Sequence, residues 1–355
     1  GEPVFVVEDR DGDGRLNGVD RLVRLGRSRV AAYRSGLVTH RRGVDLLQVA
    51  MRDLFHGTGV WGILAGGPAL RPRSGIAPEA TILHYHRDQL NLVDAPFWAL
   101  DEGADVVLHE YGGWIGKFYD GSSLLTQVIE HSERLGVPHV LPAGNLASGK
   151  RSAALEVPPG DEGVSVTLRL REGLGAEVLW GAVLWTQEVA VQLELLPPGE
   201  QDPILFPPDQ LSAEDLPGAR RRVAELQRSS RGTSKHDWAL WGFADAQLAR
   251  LPAGDWTLRL RHDGEAALPV VLRIADNKKS WSGGAFWAGD VDTVTHSVTW
   301  PATSDAGVVV FAYAGDQNKG GGPAGQPTGA LRAYSGRGPR IDGHELQGIA
   351  APDNP

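Results

Sequence analysis

The sequence predicts an α/β fold: a mostly parallel sheet with helices on both faces, interrupted by an inserted antiparallel β-sandwich. Three observations lead there. Up to about residue 150, short apolar runs alternate with amphipathic stretches, the order expected of βαβ units. From about residue 152 the patterning changes to strict alternation, as in VSVTLRLR, VAVQLELL, DWTLRLRH and LPVVLRIA. Beyond about residue 285 the first style returns, and 46 glycines and 23 prolines across the chain favour many turns over long helical bundles. The implied organisation is 1–152 for the first part of one domain, 153–284 for the sandwich and 285–355 for the second part.

Residues 4–7 (VFVV) form a short strand pattern, followed by a dense acidic, glycine-rich loop, DRDGDGRLNGVD (9–20). Thr81–Tyr85 is a predicted strand, Leu92–Leu100 a helix and Asp105–Leu108 a strand. Ser122 or Ser123 caps a helix with Leu124, Leu125, Val128 and Ile129 on its apolar face, and Gly136 closes it. The strand VPHVLP (137–142) then runs into Ala143, Gly144 and Asn145. Inside the β-rich region a polar helix is predicted from Ala219 to Ser229, just after Pro217 and Gly218, with Arg220, Arg221 and Glu225 on a solvated face.

A formal charge of −9, from 44 acidic and 35 basic residues without long runs, argues against nucleic acid or an anionic membrane as partner. The absence of cysteine excludes disulfides and thiolate chemistry but leaves the compartment open. No apolar run reaches the ~18 residues of a membrane span. The chain opens at Gly1 with neither an initiator Met nor a signal peptide, so an incomplete N-terminus is expected.

The strongest chemical signal is HGTGVWGILAGG (56–67), a histidine at the mouth of a glycine-rich helix predicted over 56–66. A base acting on a hydroxyl must be held rigidly, and the field of a helix N-terminus keeps an imidazole neutral and able to accept a proton. A lone histidine in such a place is more often an ordinary cap; the segments that follow change that balance. They are GIAPEATIL from Gly75, ADVVLHEYGG from Ala104, VPHVLPAGN from Val137, VTWPATSD from Val298 and YSGRGPRIDGHELQGIAAP from Tyr334.

Taken in this order, the segments resemble the motifs of the subtilases, the subtilisin-like serine proteases of peptidase family S8. The resemblance implies a serine endopeptidase acting on protein or peptide substrates, with His56 as general base and Asn145 as oxyanion-hole donor. It implies a substrate-binding strand at Glu110, Tyr111 and Gly112, where the first two depart from the small residues common in the family. It also implies that the sandwich is a jelly-roll insertion, and it weakly favours a secreted or extracytoplasmic protein. The serine motif is expected beyond Pro355, either in the same product or on a C-terminal polypeptide acting as a partner. The catalytic aspartate is expected upstream of Gly1, with Asp9 and Asp11 as the alternatives. The rival reading is an inactive subtilase-fold pseudoprotease that binds or senses.

The acidic loop carries a separate expectation. Asp9, Asp11, Asp13, the Arg15 carbonyl, Asn17 and Asp20 match the ligand spacing of an EF-hand-like calcium loop, with a glycine-rich hairpin of solvated aspartates as the alternative. His84 and His86 alternate on one strand but lack an acidic partner at a diagnostic spacing. Trp180, Trp185, Trp238, Trp241 and Trp256 are expected in the core ahead of a carbohydrate platform, and Ser335 in a structural turn.

Overall fold

The structure, a computed structural model, describes residues 5–8, 10–11, 15, 17–24, 29–42, 44, 56–66, 75–86, 92–207, 212–216, 220–244, 247–278, 283–315 and 327–353. Two compact units divide the chain, 1–104 and 105–355.

In the first unit β1 (Phe5–Glu8) and β2 (Arg21–Arg24) form an antiparallel hairpin around the acidic loop. A second sheet holds β3 (Val30–Ser35) between β4 (Val38–Arg41) and β5 (Ile82–His86); the first pair is antiparallel and the second parallel. Helix α1 spans His56–Ala65 and α2 spans Asp94–Asp101.

The second unit begins with β6 (Val107–Leu108), α3 (Leu124–Arg134) and β7 (His139–Pro142). The N-cap of α3 is Ser123, whose Oγ accepts from the Thr126 amide. Twelve strands follow: β8 (Ser152–Val157), β9 (Gly160–Leu170), β10 (Val178–Trp185), β11 (Val191–Leu196), β12 (Ile204–Phe206), β13 (Ser212–Leu216), β14 (Arg220–Arg228), β15 (Ser234–Ala244), β16 (Gln247–Ala249), β17 (Gly254–His262), β18 (Leu268–Asp276) and β19 (Phe286–Ala288). The chain then adds β20 (Val308–Tyr313) and β21 (Gly348–Pro352).

These strands build three sheets. One runs β13-β14-β15-β10-β18-β8 with β16 alongside β15, a second runs β12-β11-β17-β9-β19, and both are antiparallel throughout. Their inner faces share one core containing Leu168, Leu179, Val183, Leu195, Leu258 and Leu272, with Trp185, Trp238, Trp256 and Trp287 wholly enclosed. Alternation along β17 puts Trp256, Leu258 and Leu260 inside and leaves Arg259 and Arg261 on the other face. Gly181 stands opposite Trp238, and a methyl group there would lie 2.1 Å from the indole, so no larger residue fits without moving the ring. The third sheet, β21-β20-β7-β6, is parallel.

The α/β expectation is therefore overturned. Among the described residues, parallel pairing is confined to the four-stranded sheet and to β3 with β5, and regular α-helix to α1, α2 and α3. The chain is β-rich and mostly antiparallel. One source of the error is residues 219–229, predicted as a helix: Arg220–Arg228 is β14, paired along its length with β15 and over Arg220–Ala224 with β13. Its Ala, Glu, Leu, Gln and Arg residues favour helix locally, but intrinsic preference is a weak prior beside two flanking strands.

Candidate functional site

In open sheets, chemistry gathers beyond the carboxyl ends of parallel strands. Four of the motif segments meet there in the second unit. Beyond β6 the chain continues through His109, Glu110, Tyr111 and Gly112 to Gly113. Gly113 exchanges backbone hydrogen bonds with Trp300, at 2.8 and 2.9 Å. Beyond β7 come Ala143, Gly144 and Asn145. The Ala143 amide donates to Val310 O at 3.0 Å, and Ala143 O accepts from the Thr299 amide at 3.0 Å. Gly144 O accepts from the Gly336 amide at 2.8 Å, and the Ala147 amide donates to Tyr334 O at 3.2 Å.

Thr299 joins these strand ends. A methyl group added at Gly112 would lie 2.6 Å from Thr299 Oγ1, and one at Gly144 would lie 2.5 Å from it. Both backbones thus pack on one side chain. Gly144 also has φ +91°, which a residue with a Cβ adopts only under strain. Asn145, the next residue, is exposed with its backbone fixed from both sides. Ser335, expected in a structural turn, is buried, and its Oγ accepts from the Ala312 amide at 3.1 Å.

Beside the Gly113–Trp300 pair, Lys117 Nζ sits 4.5 Å from the centre of the Trp300 ring, whose Nε1 donates to Ser123 Oγ at 2.7 Å. Beneath, Tyr111 Oη and His109 Nδ1 are 3.0 Å apart, and His109 Nε2 and His139 Nδ1 are 2.7 Å apart. Burial pushes both imidazoles well below the usual histidine range, so the pair is uncharged near neutrality. Sequence reasoning passed over this pair; a histidine inside the apolar strand VPHVLP was its visible signal.

Other expected residues fall elsewhere. His56 opens α1 in the first unit; its side chain, like Asp9 and Asp13, lies outside the described residues. In the acidic loop, Asp20 accepts from the amides of Arg10 (3.0 Å) and Asn17 (2.8 Å), and Asn17 Nδ2 donates to Asp11 at 2.8 Å. His84 packs between Tyr33, stacked at 5.1 Å, and the edge of Trp61 at 4.6 Å; burial lowers its pKa to about 4. Among the described residues no group of three His, Asp or Glu side chains is placed to hold a metal. A Gly-Thr-Ser triplet does occur at 232–234, but it leads into β15 rather than a helix, and buried Ser234 accepts from Arg228 at 3.2 Å.

No family model and no curated protein matches the sequence. Among solved structures, the CspB protease of Clostridium perfringens matches with TM-score 0.69 and 16% identity over 92% of this chain and 69% of that one. A Bacillus licheniformis lipase, BlEst2 in its propeptide form, matches 52% of this chain and 58% of that one at 8% identity, with TM-score 0.24, too low to bear on the fold. The assignment to the subtilase family drawn from the motifs is corrected accordingly. At 16% identity the likeness to CspB extends to the fold and not to membership, and the described structure is mostly sheet. The chain has a fold similar to that of a clostridial protease.

Proposed function

We propose that this chain forms most of a peptidase site that hydrolyses peptide bonds in protein or peptide substrates by acyl transfer to a serine. A substrate strand pairs along Glu110, Tyr111 and Gly112, and the Asn145 amide donates to the oxyanion that develops on the scissile carbonyl. The general base that takes the proton from the attacking hydroxyl and returns it to the leaving amine is assigned to His56 from its sequence motif alone, with an aspartate to orient the imidazole. An attacking serine and an orienting aspartate, for which Asp9 and Asp11 are the candidates within this sequence, complete the set. Calcium in the loop from Asp9 to Asp20 belongs to the same reading as a structural ion.

The observation that carries the reading is the packing of Gly112 and Gly144 on Thr299, which brings residues 110–112 near exposed Asn145. Gly113 already pairs with Trp300, and in this reading an incoming peptide pairs with the backbone of residues 110–112 beside it. The test is labelling of the full-length protein with a fluorophosphonate probe. Labelling that disappears in His56→Ala, with unchanged thermal melting, is expected; a folded full-length protein that resists the probe would establish the inactive, binding alternative.

A further inference from the structure

Arg273, on β18 in the second unit, is 2% exposed, yet among the described residues no carboxylate bonds to it. Its Nη2 donates to the carbonyls of His296 and Val298, the second at 3.3 Å. Nε and Nη1 are buried without a partner, which leaves the N–H of one and both N–H bonds of the other unmatched. The Tyr119 ring lies against the guanidinium, 4.4 Å from Cζ to the ring centre. Tyr119 is 3% exposed, and its hydroxyl is buried without a partner as well. Its φ of +60° is a conformation that an aromatic residue rarely adopts, so the ring is placed here at a backbone cost.

The surrounding charges do not offset the guanidinium. In one row across the sheet, Ala182 on β10 separates Arg273 from Asp237 on β15. Asp237 pairs with Lys235 on its own strand, itself 3% exposed, so those two charges balance each other. Half-buried Lys117, over the Trp300 ring, adds a further cation. Asp237 Oδ1 is also buried without a partner, and a water between it and the Tyr119 hydroxyl would satisfy both. Such a water brings no negative charge to Arg273, and an aromatic face attracts a cation without supplying a counter-charge. A guanidinium taken out of water is costly unless an opposite charge accompanies it.

We infer that a small inorganic anion, chloride, binds against the unmatched N–H bonds of Arg273, with the Tyr119 hydroxyl as its second donor. Enclosure sets the size: residues only 2% and 3% exposed admit a monatomic ion and exclude a peptide carboxylate or a nucleotide phosphate. The ion also has a structural reach. Val298, whose carbonyl Arg273 holds, immediately precedes Thr299, on which Gly112 and Gly144 pack.

The test is melting of the 355-residue chain at constant ionic strength while sodium gluconate is exchanged for sodium chloride. The melting temperature should rise by about 3 °C and then saturate, as for an ion bound by the folded state alone, and bromide should substitute for chloride. Tyr119→Phe should raise the half-saturating chloride concentration by about tenfold, the worth of one hydrogen bond to a charged group. Arg273→Gln, which removes the charge and keeps a donor, should melt at one temperature in both salts. A wild-type crystal grown in bromide should show anomalous scattering beside Arg273 Nε or Nη1, a readout that does not depend on the variants folding. Equal melting of the wild type in chloride and gluconate, a chloride response that survives in Arg273→Gln, or water in place of bromide would overturn the inference. A bromide peak without any change in melting would mean an adventitious ion only, and would overturn it too. No arm involves cleavage, so failure here and failure of the peptidase reading are distinguishable.

Discussion

Asp305 shows how single residues hold the second unit together. Arg231 donates to both its oxygens, Arg340 adds another contact, and these cations bring the carboxyl down to about 2 despite partial burial. The unfolded value is ~3.9, so the folded state favours the ionised form. This stability is present above about pH 4 and is lost as the pH falls through 2. Asp305→Asn should therefore flatten the acid limb: between pH 5 and pH 2.5 the wild-type urea midpoint should drop further than the variant's, and parallel curves would contradict the assignment. The position of Asn145 just beyond β7 could be read from sequence because an apolar strand running into Ala-Gly-Asn is a local pattern. The role of Thr299 was not legible. It arises from two glycines lying 32 residues apart in sequence that approach one distant side chain, and spacing along the chain does not encode that approach.

Elements were legible where a single period dominated. The alternating stretches are β9, β11, β17 and β18, and α1 and α3 fall where a small-residue run and a capped apolar stripe put them. They were illegible where tertiary pairing overrode preference, as in β14. The acidic loop adds a prediction at this scale. It joins the hairpin strands β1 and β2, and Asp20 ties its two limbs by accepting from Arg10 and Asn17. A cation shared by Asp11, Asp20 and their neighbours would offset carboxylate repulsion and stabilise the folded state by mass action. Millimolar calcium should raise the melting temperature relative to a chelator control, and Asp20→Ala should abolish the rise. Identical melting with calcium and with chelator would reject the ion.

At the scale of the molecule, the α/β reading described the parallel sheet and its helices, while the antiparallel sheets hold most of the described strands. The antiparallel sheets contain the largest enclosed side chains and form the principal core. Trp256 lies wholly inside, with its Nε1 donating to Pro252 O at 3.1 Å, so Trp256→Ala should cost ~3 to 5 kcal/mol by urea unfolding. A loss below about 1 kcal/mol would mean that this core is not packed as described. The antiparallel sheets also brace the parallel one. Trp114 Nε1 donates to Ile274 O at 2.9 Å, buried Arg273 donates to Val298 O at 3.3 Å, and Arg231 joins the loop after β14 to Asp305. Excising residues 153–284 should leave a chain that does not fold. The central claim is that the ends of β6 and β7 form one site at which Asn145 meets developing negative charge. Its most direct test is the steady-state hydrolysis of a peptide by full-length Asn145→Ala. Loss of one oxyanion donor should lower kcat by ~10² to 10³ with KM little changed. A variant that matches the wild type in kcat would contradict the account.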